Sequence, residues 1–357
     1  MTDAAEIRPK TDLLNLTRSE LEAFVVDELK QPRFRTAQLW HWLWQRGARD
    51  FSAMTNLSGA LKSRLAEQAA IIWPEVDLVR VSTDGTIKLM LRLADGEKIE
   101  TVLIPMAGHY TQCLSTQVGC AMGCTFCSTG EMGLTRNMSM GEIVGQILAA
   151  RAHLAQHNLP SLKNLVFMGM GEPLMNLTEL LRSLETLGSA EGISIASRRA
   201  TVSSVGIPSA LKILGESGLA VPAISLHAPT QELREKLMPK AARVPLDELL
   251  AALDRYPLKQ RERVTYEYIM LGGVNDSIAH ARQLVKLLGQ RRCKVNLISY
   301  NPPPPQTGKA PYAAPDPEGV LAFENYLRSK HITTFIRRSM GQDIAAACGQ
   351  LKLLAGE

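Results

Sequence analysis

Apolar positions recur at helical spacing through Phe34–Gln45 and again through Leu57–Ile72. Ahead of them, Thr17-Arg-Ser-Glu20 is a capping box that predicts a helix running to Lys30 and stopped by Pro32. Residues 74–104 switch to apolar–polar alternation, with hairpin signals at Asp84-Gly85 and Asp95-Gly96, and predict a β-meander. From Gln112 the pattern becomes strand then helix, repeated. The strand-like runs are Gln112–Gln117, Asn164–Met168, Arg199–Ser204, Ala220–His227, Val264–Met270 and Lys294–Ser299, with a seventh at Thr333–Arg337. Helical periodicity separates them, most clearly in Ser139–His157 and Ser277–Gln290. Alternation of this kind implies an α/β fold with a parallel sheet and helices outside, here a partial (β/α)6 barrel. The division expected is a helical region 1–73, a β-meander linker 74–104, a barrel core 105–340 and a C-terminal segment 341–357. In such a barrel function gathers at the C-terminal ends of the strands.

The composition is that of a soluble globular protein, 45% hydrophobic and 21% charged. No apolar run approaches the roughly 20 residues that cross a bilayer, so no membrane partner is expected. The opening MTDAAEIRPK is polar and lacks the apolar core of a signal peptide, so a cytoplasmic location is expected. There thiols stay reduced, and six cysteines read as ligands, nucleophiles or buried thiols rather than structural disulfides. The net charge of +5 is mild, but its distribution is uneven. Leu29–Arg49 holds Lys30, Arg33, Arg35, Arg46 and Arg49 and no acid. Ser277–Pro315 holds Arg282, Lys286, Arg291, Arg292, Lys294 and Lys309, again with no acid. These stretches suit either a polyanionic partner or a solvated face. Trp40, Trp42, Trp44 and Trp73 all lie in the helical region and read mostly as core; an exposed one can stack on a nucleobase.

Val118-Gly-Cys120-Ala-Met-Gly-Cys124-Thr-Phe-Cys127 is the most informative stretch. Its C-x3-C-x2-C spacing packs three thiolates, the usual ligands of iron–sulfur clusters, into one loop. A cubane has four irons, so three ligands leave one open to a substrate. A structural zinc site wants four ligands, usually as paired C-x2-C units. The triplet follows the first strand of the barrel pattern, and there it resembles the signature of the radical S-adenosylmethionine (SAM) superfamily. That resemblance implies that Cys120, Cys124 and Cys127 hold a 4Fe-4S cluster whose open iron binds SAM. Electron transfer into the sulfonium then yields a 5′-deoxyadenosyl radical. Gly169-Met-Gly171-Glu172-Pro173 is similar to the superfamily's GGEP-type motif, which meets the SAM amino group. Ser203, Ser225, Leu226, His227 and Asn301 lie at the ends of later strands and are candidate contacts to the ribose, carboxylate or adenine; each alone would more often be a capping residue.

Further segments narrow the resemblance: Glu100-Thr-Val-Leu-Ile-Pro105, Cys113-Leu-Ser-Thr-Gln-Val-Gly-Cys120, Gly169-Met-Gly-Glu-Pro-Leu-Met-Asn176, Ile224-Ser-Leu-His-Ala-Pro229 and Ala347-Cys-Gly-Gln-Leu351, with Phe34-Arg-Thr-Ala-Gln-Leu-Trp40 in the helical region. Together they resemble the dual-specificity RNA methyltransferases, which methylate carbon 2 of an adenosine in 23S rRNA (the peptidyl transferase centre) and in tRNA (3′ of the anticodon). Ser203-Ser204-Val205-Gly206 departs from the Ser-Thr-Ser-Gly expected there but keeps Ser203. Carbon 2 lies between two ring nitrogens and is too electron-poor to attack a SAM methyl group, whereas a carbon radical can add to it. The resemblance implies the route. Cys348 takes a methyl group from one SAM, and the radical from a second removes hydrogen from it. The resulting carbon radical adds to the base, Glu100 removes the carbon-2 proton, and Cys113 attacks Cys348 sulfur to form a disulfide and free the product. Two SAM are consumed per methylation, and the helical region would grip RNA. The electron comes from an external donor such as flavodoxin or ferredoxin. The chain is expected to act as a monomer. Cys293, with no role in this scheme, reads as structural. The alternatives are a related carbon-8 rRNA adenine methyltransferase and a non-enzymatic iron–sulfur or zinc RNA-binding module.

Overall fold

The computed structural model of the protein describes residues 10–303 and 310–352. Residues 1–9 of the polar opening stretch, Pro304 and Pro305, Lys309 of the second basic stretch and residues 353–357 lie outside the described residues.

The alternation of residues 74–104 folds into β1 (Glu75–Val81), β2 (Ile87–Arg92) and β3 (Lys98–Met106), and β4 (His109–Cys113) continues the antiparallel run. The sheet then turns parallel. β5 (Leu162–Phe167) pairs with β4, and β6 (Ala200–Ser204), β7 (Val221–Ser225), β8 (Val264–Met270), β9 (Cys293–Ser299) and β10 (Thr333–Arg337) follow in chain order. The ten strands form one open sheet, so the barrel is partial, as the pattern predicts, and the meander is hydrogen-bonded into the same sheet. β8 is buried at every position, as a strand covered on both faces requires.

One strand lies earlier than predicted. β4 ends at Cys113, and beyond it Leu114 and Thr116 donate to the Val166 and Met170 carbonyls (2.8 and 2.9 Å). Gln117–Gly119 then forms a small antiparallel ribbon with Leu134–Asn137. The segment is extended throughout, which is why its alternation reads as one strand, but it leaves the sheet to approach the chain after β5.

The helix predicted over Ser139–His157 runs Met140–Gln156, with Ser139 and Glu142 closing a reciprocal capping box. Its first turn carries the helical region: Gly141 N–H donates to Asn15 Oδ1 (2.7 Å), and Arg182 bridges the Asn15 carbonyl and Glu20. Trp40 and Trp44 meet edge to face at 5.6 Å and are fully buried, while Trp42 and Trp73 are half-buried. Thus two of the four tryptophans are core, and Arg49 covers the ring of Trp73 at 4.4 Å. Among the described residues no helix is long and apolar enough to cross a membrane.

Candidate active site

The loop after β4 is tied down before it reaches the cysteines. Fully buried Gln146, on the Met140–Gln156 helix, accepts from Ser115 N–H (3.0 Å) and donates to the Ser115 carbonyl (2.8 Å). Ser115 Oγ donates to the Glu100 carbonyl (2.6 Å). At Gly119 φ is +76°, and a Cβ there would lie 2.0 Å from the Gly133 carbonyl oxygen, so only glycine lets the ribbon close. Cys120 N–H then donates to that same carbonyl (2.7 Å).

Cys120, Cys124 and Cys127 line one cavity at the C-terminal end of the barrel strands. Burial pushes the Cys120 thiol up to about 11 and raises Cys124 and Cys127 as well; neighbouring cluster thiols add to the shifts of Cys120 and Cys124, and the Cys348 thiol adds to that of Cys127. Three thiols with raised pKa values lining one cavity ionise together only against a strong positive charge, and that matches a cationic cluster. Among the described residues no three His, Cys, Asp or Glu side chains converge tightly enough for a single metal ion. The three thiols line one cavity, and a three-thiolate set with one position left open fits a cluster, whose separate irons take separate thiolates, better than a four-ligand structural zinc site.

Gly171, Glu172, Ser203, Ser225 and His227 line the same cavity. At Gly171 φ is +103°, and a Cβ would meet Gln117 at 2.6 Å. Glu172 is buried with both oxygens engaged: Oε1 accepts from Leu174 N–H (3.1 Å) and Oε2 from Val205 N–H (2.9 Å). Burial raises its carboxyl, against the pull of Ser204 and those amides. Ser204, set aside in the sequence pattern, therefore helps anchor the acidic residue. His227 adopts φ +55° and packs edge to face on Phe126 (4.9 Å). Its Nδ1 accepts from Ile269 N–H (3.0 Å), which leaves the ring proton on Nε2; burial drops its pKa to about 3, so the imidazole is neutral. Two expected contacts stand apart. Leu226 is fully buried and does not line the cluster cavity. Asn301 is also buried; its Oδ1 accepts from Gln342 Nε2 (2.7 Å), and its Nδ2 is buried without a hydrogen-bond partner.

Cys348 lies on a strap, residues 341–352, that crosses the barrel mouth. It lines the cluster cavity and also a neighbouring cavity walled by Ile104, Met106, Thr111, Arg338 and Met340. Cys113 lies nearby at the end of β4, beneath the wall; burial and then the Cys348 thiol push its pKa up to about 12, against the pull of Arg337. Glu100 is 1% exposed and lines neither cavity. Lys88 Nζ lies 2.6 Å from its Oε1 and donates to the Ala345 carbonyl of the strap (3.3 Å). Burial raises the Glu100 carboxyl and Lys88 opposes the shift. Cys293 is buried with its thiol toward the Leu288 carbonyl (3.8 Å), a packing role as expected.

Pattern reading missed three charged residues here: Lys88, Glu267 and Arg337. Arg337 ends β10, contacts Met168 Sδ through Nη1 (3.2 Å), and lies within electrostatic reach of Cys348, Glu267 and Cys113. The available signal was a charged residue inside an otherwise apolar strand, as in Val264-Thr-Tyr-Glu-Tyr-Ile-Met270.

Comparison with known proteins agrees with this geometry. The family described as "Ribosomal RNA large subunit methyltransferase N-terminal domain" matches residues 11–71, and the "Radical SAM superfamily" matches residues 114–285. The chain is 61% identical over 349 residues to the dual-specificity RNA methyltransferase RlmN of Nitratidesulfovibrio vulgaris strain DP4, covering 96% of this chain and 95% of that one. It is 50% identical over 348 residues to the enzyme of the same name from Lawsonia intracellularis, covering 96% of each. The crystal structure of a radical SAM methyltransferase from Sphaerobacter thermophilus superposes with a TM-score of 0.89 at 41% identity, covering 96% of this chain and 99% of that one.

Proposed function

The chain belongs to the dual-specificity RNA methyltransferase RlmN family of radical SAM enzymes, and on that premise we propose that it methylates carbon 2 of an adenosine in 23S rRNA and in tRNA through Cys348. The observation that carries the reading is the position of Cys348, whose side chain lines both the cavity of the three cluster cysteines and the cavity beside it. A 4Fe-4S cluster on Cys120, Cys124 and Cys127, with SAM bound beside it, supplies a methyl group and a carbon radical that can take hydrogen from that methyl. Gly171, Glu172, Ser203, Ser225 and His227 are the residues assigned to hold SAM. Leu226 and Asn301 complete the set proposed to contact SAM, Asn301 through its unpartnered Nδ2.

The chain's own groups do the rest. Cys348 carries the carbon to the base, which must leave its stack to enter the second cavity. Addition of the carbon radical leaves an odd electron on the ring, so one electron passes out to the oxidised form of the external one-electron donor as Glu100 takes the carbon-2 proton; the raised pKa of Glu100 makes it a stronger base than an ordinary carboxylate once ionised, and Lys88 favours the ionised form. Cys113 then attacks Cys348 sulfur. The S–S bond forms as the S–C bond breaks, the electron pair stays on the methylene carbon conjugated with the ring, and a proton completes the methyl group. Only the thiolate attacks, so Cys113, held up to about 12, relies on the Arg337 cation. An external one-electron donor and a cytoplasmic setting with a dithiol reductant complete the proposed cycle, and the chain would act alone rather than as an oligomer. The test is nucleoside mass spectrometry of ribosomal and transfer RNA after incubation with anaerobically reconstituted enzyme and SAM. 2-Methyladenosine in both RNAs is expected; 8-methyladenosine would move the chain to the carbon-8 chemistry.

A further inference from the structure

Two buried carboxylates face the cluster cavity, and they differ in what their oxygens do. Both oxygens of Glu172 accept from backbone amides. Glu267 is 3% exposed, its Oε1 accepts from Asn296 Nδ2 (2.9 Å), and its Oε2 is sealed from solvent without a hydrogen-bond partner. The residue is rigidly placed. It stands mid-strand in β8, opposite Ser225 on one side and Asn296 on the other, and its carbonyl accepts from Leu226 and His227 N–H. Burial raises the Glu267 carboxyl and nearby Arg337 opposes that shift without a hydrogen bond to Oε2. A buried carboxyl oxygen left unpaired is a standing cost that a ligand donor removes.

The donors on SAM are few. Its sulfonium has no N–H or O–H. Its amino group belongs at the cluster end, beside the loop after β5, three strands away from β8 in the sheet. The adenine 6-amino group and the two ribose hydroxyls remain, and of these it is the hydroxyls that acidic residues take from nucleotides in dinucleotide-binding folds. We propose that Glu267 is a binding residue for the ribose of SAM, with Oε2 accepting from a ribose hydroxyl while Asn296 fixes the carboxylate through Oε1. The proposal rests on the SAM reading above.

The test is equilibrium dialysis of anaerobically reconstituted enzyme, without reductant, against S-adenosylhomocysteine and its 2′-deoxy and 3′-deoxy forms, none of which has a methyl group to transfer. Wild type should bind the parent nucleoside, and one deoxy form should bind about tenfold or more weaker, the worth of a hydrogen bond to a charged group. Glu267→Gln should weaken the parent by a similar factor and lose its preference over that deoxy form, with iron content unchanged. Asn296→Ala should lower the same preference to a smaller degree, and it decides the matter alone should Glu267→Gln fail to hold iron. Equal losses for all three nucleosides, or an intact preference in the variants, would overturn the ribose assignment. Failure of wild type to bind the parent nucleoside would instead overturn the SAM reading beneath it.

Discussion

In the cluster loop, three cysteines lie within eight residues, and the backbone around them bonds to itself and to the barrel: Cys120 N–H to Gly133, Cys127 N–H to Cys124, Gln146 to both sides of Ser115. The strap that carries Cys348 is built differently. Its only regular element is one 3-10 turn, Gln342–Ile344. It is held by contacts to elements far away in sequence: Gly341 N–H to Asp84 (2.8 Å), Ser82 Oγ to Asp343 (2.5 Å), Lys88 to Ala345, Thr129 Oγ1 to Leu351 (2.6 Å) and Gln350 Nε2 to Pro302 (2.7 Å). A loop closed mainly by local bonds keeps its ligands together even where its few bonds to the strap open. A strap fixed by scattered polar latches opens at a cost of a few such bonds, as a segment that must admit and release RNA requires.

The largest test of that contrast removes the cluster. Protein purified without oxygen should hold about four irons per chain, as a cubane requires, and Cys120→Ala, Cys124→Ala or Cys127→Ala should lose iron and SAM cleavage together. Cys348→Ala should keep the iron and lose all methylation. Loss of iron in Cys348→Ala would mean the loop and strap are one unit and break the comparison.

Next comes the division of labour between the two free thiols. Cys113→Ala should stop product release and accumulate a covalent protein–RNA adduct on denaturing gels with labelled RNA. Cys348→Ala should form none, and the double variant should match Cys348→Ala, because residues acting in sequence are not additive. Free, normally methylated RNA from Cys113→Ala would reduce Cys113 to a packing residue.

A smaller effect is expected from the Lys88–Glu100 pair. Burial raises the Glu100 carboxyl, so it gains a proton as pH falls and the base is lost, at a higher pH than for an exposed carboxylate. Turnover should therefore rise with pH through that point. In Lys88→Met the opposing cation is gone, the carboxyl rises further and the limb should move to higher pH, while Lys88→Arg should restore it. An unmoved profile in Lys88→Met would remove Glu100 from proton transfer. The smallest effect belongs to one latch: Asp343→Ala should leave iron unchanged, lower turnover a few-fold and speed tryptic cleavage in the strap. Unchanged cleavage would show that Asp343 does not hold the strap.

The contrast also explains what could be read from sequence. Strand–helix alternation marks each parallel strand because it is a local property, and Cys120, Cys124 and Cys127 declare themselves by spacing. β4 was misplaced by a few residues because extended chain alternates whether or not it pairs, as Leu114–Thr116 does. Lys88 and Glu267 left only a weak signal, a charge inside an otherwise apolar strand, because a single charge there also reads as a solvent-facing position; tertiary structure turns those side chains inward. Cys113 and Cys348 are 235 positions apart, and no local pattern pairs them. Family resemblance supplied that pairing, and the fold brings the two within electrostatic reach of each other.

Ser128 N–H, one residue past the last cluster cysteine, donates to the Gly349 carbonyl, one residue past Cys348 (2.8 Å). Two segments that share a bond share a thermodynamic cycle, so ordering one lowers the entropy left to lose in ordering the other. The coupling is reciprocal by necessity. If a nucleoside at the loop helps dock the strap, RNA held under the strap tightens the grip on the nucleoside by the same factor, and the protein commits a molecule of cofactor most firmly when a substrate is already in place.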